Sequence, residues 1–284
     1  MMKKIVASII LSLCVCVTYA QTARSLFWCT DSLQVEEIVS ETADLHESVG
    51  HCGPAVENSH MALRIYFDDS GCVDVYSKSG RGMELLEYKW NTTEGQRDTL
   101  AAGCCEYCAS GTVGLGGIAL WDGDKEVRLV ATKGRTARVG DTRNGSYAEM
   151  IAYGVPYMDD FVDISIRIDV TVKSREAVIT ASELSGKKVQ FMTGVNFHDG
   201  QRVSYDENHI SVWGVHPVEA SSRPVPVGAG MFFRKGDFQQ VDRTDDMVRL
   251  VSVPASKIRT RVVAASSKEA ELNNAKRFEA YMAK

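Results

Sequence analysis

Residues 162–173 alternate with a period of two. Val162, Ile164, Ile166, Ile168, Val170 and Val172 fall on one side of an extended chain, and Asp163, Ser165, Arg167, Asp169, Thr171 and Lys173 on the other. A helix would scatter these apolar side chains around its circumference, so the segment fits a strand with one packed and one polar face. Such a strand belongs in an antiparallel sheet that turns one side to the core. Residues 176–181, 189–195, 209–215, 227–234 and 247–253 are further strand candidates, and loops such as Ser185-Gly186-Lys187 and His198-Asp199-Gly200 separate several of them. Many antiparallel strands in series predict an all-β chain folded as a large antiparallel β-sandwich. One helix is expected, at the end. Ser266 would cap it, Glu269 would complete a capping box, and Leu272, Ala275, Phe278 and Met282 would line its apolar side.

The stretch 61–78 predicts a hairpin. Met61, Leu63, Ile65 and Phe67 alternate with Ala62, Arg64, Tyr66 and Asp68, and Asp69-Ser70-Gly71 supplies a turn. That turn would pair Asp68 with Cys72, Tyr66 with Asp74, Arg64 with Tyr76 and Ala62 with Lys78. The apolar residues then stay together on the opposite face. The polar face carries Arg64, Tyr66, Asp74 and Tyr76, with Glu57 and His60 at its edge. A guanidinium grips a carboxylate, phenols stack and hydrogen-bond, and a carboxylate accepts from sugar hydroxyls. The same set suits a purely structural cross-strand network, and the pattern leaves both readings open. Elsewhere, His198 stands before Asp199-Gly200 at a loop tip, where an imidazole can do acid–base work. Trp213, within a strand, is either a sugar-stacking platform or a core residue.

The first twenty residues read as a secretory signal. Lys3 and Lys4 open it, an apolar run from Ile5 to Val17 follows, and Thr18-Tyr19-Ala20 offers a cleavage site. That run is too short to span a bilayer, and no later segment is apolar enough to do so. The expected mature chain is one β-sandwich domain over 21–284, exported to the periplasm, the cell surface or the medium. Loss of Lys3 and Lys4 takes the formal charge from −5 to −7, which argues against a nucleic-acid partner. Local arginines can still hold an acidic ligand.

Six cysteines would remain: Cys29, Cys52, Cys72, Cys104, Cys105 and Cys108. An even count in an exported chain predicts one or two disulfides beside buried thiols. A zinc site using the 104–108 cluster with His51-Cys52 is the competing reading, weakened by the absence of a second Cys-x-x-Cys. No metal and no cofactor is expected. Gly111 to Gly117 is glycine-rich but lacks the lysine of a P-loop, and reads as a loop or bulge beside a site. Neither a Gly-x-Ser-x-Gly elbow nor a His-Glu-x-x-His helix is present.

Two runs carry a family likeness: Glu57-Asn58-Ser59-His60-Met61-Ala62-Leu63-Arg64-Ile65-Tyr66 and Val73-Asp74-Val75-Tyr76-Ser77-Lys78. With Gly111 to Gly117, the region from Trp213 through Gly228-Ala229-Gly230, and Phe278-Glu279-Ala280-Tyr281, the chain resembles domain-of-unknown-function family 4861 over about residues 56–284. The resemblance implies an exported protein encoded beside polysaccharide-degrading enzymes, some acting on uronic-acid glycans. It implies a large β-sandwich of the galactose-mutarotase type. Glu57, Asn58, Arg64, Asp74, Tyr107 and His198 fall on family positions. Cys105 stands where the family tends to show an acidic residue, with Glu106 one place away. The expected function is a secreted carbohydrate-active protein that acts on or binds acidic, uronic-acid-containing oligosaccharides. Glu57, Asp74 and His198 are its candidate catalytic residues, and Arg64, Tyr66, Tyr76, Tyr107 and Trp213 its candidate substrate-binding residues. An enzyme of this kind would be a glycoside hydrolase or a polysaccharide lyase. A non-catalytic glycan-binding or surface-assembly module is the alternative, favoured by Cys105.

Overall fold

A computed structural model describes residues 21–41, 44–217 and 224–284, so the expected leader at 1–20 lies outside the described residues. Alternating segments assemble into three sheets. The largest has nine strands, from edge to edge Arg202–Tyr205, His209–Gly214, Val227–Phe232, Lys257–Ser266, Ala177–Glu183, Asp160–Thr171, Gly145–Tyr157, Arg135–Thr142 and Glu37–Ser40. A five-stranded sheet runs Phe238–Arg243, Met247–Ser252, Phe191–Asn196, Ala119–Trp121 and Glu126–Val127. A four-stranded sheet runs Ala23–Ser25, Ala55–Glu57, Met61–Ile65 and Val73–Ser77. All strand pairings within these sheets are antiparallel.

Both smaller sheets pack on the nine-stranded one, which makes the arrangement sandwich-like, as expected. The hairpin lies against Gly145–Tyr157 and Lys257–Ser266, and Phe191–Asn196 lies against His209–Gly214 and Val227–Phe232. Ile164, Ile166, Ile168, Ile179 and Val262 share one buried cluster with Met61, Leu63, Ile65, Val73 and Val75. Each such side chain contributes roughly 1.5–3 kcal/mol by leaving water. The alternation at 162–173 therefore reports a true core face. Its outer residues run from buried Ser165 through half-buried Asp163, Arg167, Asp169 and Thr171 to exposed Lys173, and Arg167 lies over the Tyr147 ring at 3.7 Å while pairing with Asp169 at 2.8 Å.

Three expectations need correction. The hairpin register is shifted by two residues: Arg64 faces Asp74, Ala62 faces Tyr76 and Met61 faces Ser77. The turn is longer than expected, because the Tyr66 N–H closes it by donating to the Cys72 carbonyl at 3.1 Å. Asp68 accepts from the Ser70 N–H at 2.8 Å within that loop. Gly71 ends it at φ +61°, where a Cβ would stand 1.9 Å from the Ile118 carbonyl oxygen. An even shift preserves the faces, so the apolar side still meets the core.

The C-terminal helix spans Ala275–Met282 and is capped by Asn274, which accepts from the Arg277 N–H at 3.1 Å, not by Ser266. Glu269 is drawn away by a two-pronged pair with Arg175, and its carboxylate also takes the Leu272 N–H at 2.7 Å. The helix packs on the outside of the nine-stranded sheet, with Phe278 over Gly228. Short helices also form at Leu85–Tyr88 and Glu94–Thr99.

All six cysteines are free thiols, so the expected disulfides are not formed. Their sulfurs are dispersed: Cys104 meets Ser77, Cys105 meets Trp90 and Cys108 meets Ser110. Among the described residues no group of three or more His, Cys, Asp or Glu side chains converges as a metal site.

Candidate functional site

The polar face of the hairpin is not solvated, because residues 84–108 fold over it. Ser77 and Cys104 exchange backbone hydrogen bonds of 2.9 and 3.0 Å, which lays the 103–105 segment along the hairpin edge. Beneath this cover Glu57, Arg64, Asp74, Tyr76 and Lys78 are all buried. Burial of so many ionisable groups is costly unless each finds partners, and here each does.

One half of the face is a structural clamp. Lys78 pairs with Glu57 at 2.5 Å, and neither side chain is exposed. The ammonium also donates to the carbonyls of Asn58, at 3.0 Å, and Gly82. The Glu57 carboxylate accepts from the backbone N–H groups of Glu84 and Leu85 at 2.8–3.0 Å, which fixes the start of helix Leu85–Tyr88. Glu84 in turn accepts from the Tyr76 hydroxyl at 2.8 Å and the Gly103 N–H at 2.7 Å. Burial raises the Glu84 carboxyl above its ordinary range, and burial with Glu84 beside it raises the Tyr76 phenol. Glu57 and Tyr76, both candidate site residues, therefore serve this clamp.

The other half opens into a cleft. Arg64 Nε and Nη2 donate to Asp74 Oδ2 at 3.0 and 2.5 Å, and Nη1 donates to the His51 carbonyl at 3.1 Å. The guanidinium lies between the rings of Tyr66, at 4.7 Å, and Trp90, at 4.5 Å. Tyr66 donates its hydroxyl proton to Asp74 Oδ2 at 2.9 Å, and Asp74 Oδ1 takes the Val75 N–H at 2.7 Å. His51 and Cys52 hold left-handed backbone at φ +58° and +57°. Such strain persists only where surroundings impose it, and here it aims the His51 carbonyl at Arg64. Burial, then Asp74, push the Tyr66 phenol well above its usual range. Asp74 and its neighbours hold Arg64 firmly protonated despite burial.

The cleft encloses about 400 Å³. Arg64, Tyr66, Asp74 and Tyr107 line it, joined by Asp68, Cys105, Glu106 and Arg128. Glu106 is engaged: Arg97 donates to one oxygen at 3.2 Å and the Val225 N–H to the other. Asp68 accepts from Ser70 and forms no ion pair among the described residues. Arg128, about half exposed, pairs at the rim with Asp69 at 3.2 Å. Cys105 accepts from the Trp90 indole N–H at 2.9 Å, and burial followed by Asp74 pushes its thiol up to about 12, which disfavours the thiolate. The glycine-rich run borders the cleft through Gly111 and Thr112, then packs tightly: at Gly114, φ +70°, a Cβ would lie 2.2 Å from the Val73 carbonyl oxygen.

His198 stands one layer behind this wall. Its Nε2 donates to the Cys108 carbonyl at 2.8 Å, and its ring meets His216 at 5.0 Å. His216 packs at a tilt against Tyr107, ring centres 4.5 Å apart, and the Tyr107 hydroxyl donates to Asn196. Trp213 is elsewhere, buried against Phe278 at 5.7 Å beneath the C-terminal helix. The structure thus brings together Arg64, Tyr66, Asp74 and Tyr107, and places Glu57, Tyr76, His198 and Trp213 outside the cleft. Sequence reasoning missed Asp68, Arg128 and the buried Trp90 ring that backs Arg64. In the sequence Asp68 reads only as the last strand residue before the turn, paired with Cys72, and no local pattern marked the other two.

The model of the family described as a domain of unknown function (DUF4861) matches residues 17–284, and the chain belongs to that family. The match starts well before the residue-56 boundary expected from motifs. No curated protein matches. Among solved structures, 4-alpha-glucanotransferase from Thermococcus litoralis aligns at 11% identity with a TM-score of 0.35. That alignment covers 75% of this chain and 39% of the other, so the chain spans well under half of that protein's length. A likeness this slight carries no argument about fold or activity.

Proposed function

We propose that this is an exported carbohydrate-active protein that binds a uronic-acid-containing oligosaccharide in the Arg64–Asp74 cleft. One observation carries the reading: Arg64, Tyr66, Asp74 and Tyr107, scattered over more than forty positions, line one concavity of about 400 Å³ with Asp68 and Arg128. A cavity of that size with aromatic walls and a few polar groups suits a small ligand. Tyr66 offers a ring edge for stacking, Asp68 a carboxylate for sugar hydroxyls, and Arg128 a cation for a uronate carboxylate. Export rests on the leader pattern at 1–20.

Binding is the activity this geometry supports best. A glycoside hydrolase wants two carboxylates free to act across the scissile bond. Here Asp74 Oδ2 already accepts from Arg64 and Tyr66, and both Glu106 oxygens are taken. Only Asp68 among the lining carboxylates stands outside an ion pair. The test is incubation of residues 21–284 with a panel of uronic-acid oligosaccharides, followed by calorimetry and mass spectrometry of products. Saturable heat without new products is expected. Products gaining water would make it a hydrolase, unsaturated ends a lyase, and no heat with any member would overturn the reading.

A further inference from the structure

A second concavity lies on the outer face of the nine-stranded sheet, remote in composition from the cleft. It encloses about 510 Å³ and is lined by Phe232, Phe233, Arg234, Asp237, Arg259 and Arg261, with Thr260. Its floor follows from alternation: Ile258, Thr260 and Val262 are buried while Lys257, Arg259 and Arg261 point out along the same strand. The register extends this into a row across the sheet, in which Glu37 faces Arg138, Arg138 faces Glu149, and Glu149 faces Arg167. Opposite charges facing each other stabilise a sheet surface. The alternation then stops, because Arg167 faces Thr180 and Thr180 faces Arg259. Arg259 is exposed and has no ion pair among the described residues. Its neighbours are engaged: Arg261 pairs with Glu176 at 2.6 Å and lies over Phe232 at 4.8 Å, and Arg234 pairs with Asp237.

With Arg234 matched by Asp237 and Arg261 by Glu176, Arg259 leaves this groove locally positive on a chain whose net charge is negative. We propose that the groove is a second binding surface, taking carboxylates of an acidic glycan chain longer than the cleft can hold. The inference rests on the reading of the cleft ligand as a uronic-acid glycan. Arg259 supplies an uncommitted guanidinium fork for a carboxylate, and Phe232 an apolar wall. Charge complementarity selects this occupant: a neutral glycan gains nothing from an uncompensated arginine, whereas a uronate laid in the groove meets one in Arg259.

The test is affinity electrophoresis and calorimetry of residues 21–284 on a polyuronate, a uronic-acid disaccharide and a neutral polymer, with Arg259→Ala, Arg259→Glu and the cleft variant Arg128→Glu, a change at a half-exposed rim residue. The groove is exposed, so neither Arg259 substitution removes a buried contact. Arg259→Ala is expected to weaken polyuronate binding about threefold to fivefold. Arg259→Glu should weaken it further, the deficit should shrink with added salt, and disaccharide binding should be unchanged. Polyuronate binding equal to wild type in Arg259→Glu would overturn the groove while leaving the cleft reading intact. Loss with Arg259→Glu but none with Arg128→Glu for any ligand would count against the cleft and for the groove. Wild-type protein that retains no polyuronate would overturn both.

Discussion

Replacing Lys78 with Met tests whether the buried clamp holds the cover over the hairpin. Among the described residues the ammonium is the only cation paired with Glu57, and both side chains are fully buried. Methionine keeps the length and removes the charge. Breaking a buried pair from one side costs about 3–5 kcal/mol, because the remaining charge stays desolvated. The Asn58 carbonyl also loses a donor, whereas Gly82 is exposed and water replaces the bond. The two backbone N–H groups of Glu84 and Leu85 still reach Glu57 and offset part of the loss. The net expectation is about 4 kcal/mol, or roughly an 8–16 °C fall in melting temperature at 2–4 °C per kcal/mol. Urea unfolding followed by tryptophan fluorescence measures it. Adding Glu57→Gln in the same chain should return about 2 kcal/mol, since the orphaned charge is then gone. A loss under about 1 kcal/mol, or strictly additive single effects, would refute the reasoning.

Asp74→Asn should leave Arg64 buried without its counter-charge, lowering stability by about 3–5 kcal/mol and abolishing glycan binding, by urea unfolding and calorimetry. Tyr66→Phe removes one hydroxyl from that network and should cost about 1 kcal/mol. His51 and His216 are held at about 3, below the ordinary 6.5, by burial first and then by Arg64 and His198 respectively. The unfolded chain therefore binds protons that the native chain refuses, so stability is full above pH 6.5 and declines as pH falls toward 3. At pH 5 each site accounts for about 2 kcal/mol, and urea midpoints at pH 7.5 and 5.0 should differ accordingly. An unchanged midpoint would sink that account. Alkylation of residues 21–284 in denaturant without reductant should tag six thiols, and native labelling should reach Cys29 while sparing Cys72 and Cys104.

Legibility followed period and locality. The strand Asp160–Thr171 was plain because one face meets the core and the other only its sheet neighbours. Gly145–Tyr157, its partner, is as long but is broken by Gly154 and Pro156, so no alternation announced it. The hairpin faces were readable because they depend on parity. The register was not, because it depends on Asp68 and Gly71 building a loop that is anchored by Ile118, a residue far along the chain. The helix start failed for the same kind of reason, since Arg175 claims Glu269 from a distance. At the site, Arg64 and Asp74 stood out by residue type. Trp90 and the 84–108 cover that separate clamp from cleft have no short-range signature at all.

The floor of the cleft has a further consequence. Arg64, Tyr66 and Asp74 satisfy one another before any ligand arrives, and two aromatic rings clasp the guanidinium. Such a floor is a finished surface, with little freedom left to surrender on binding. Discrimination among sugars then falls to the looser groups at its mouth, Asp68 and Arg128, where a single exchange can retune ligand preference while the fold beneath is untouched.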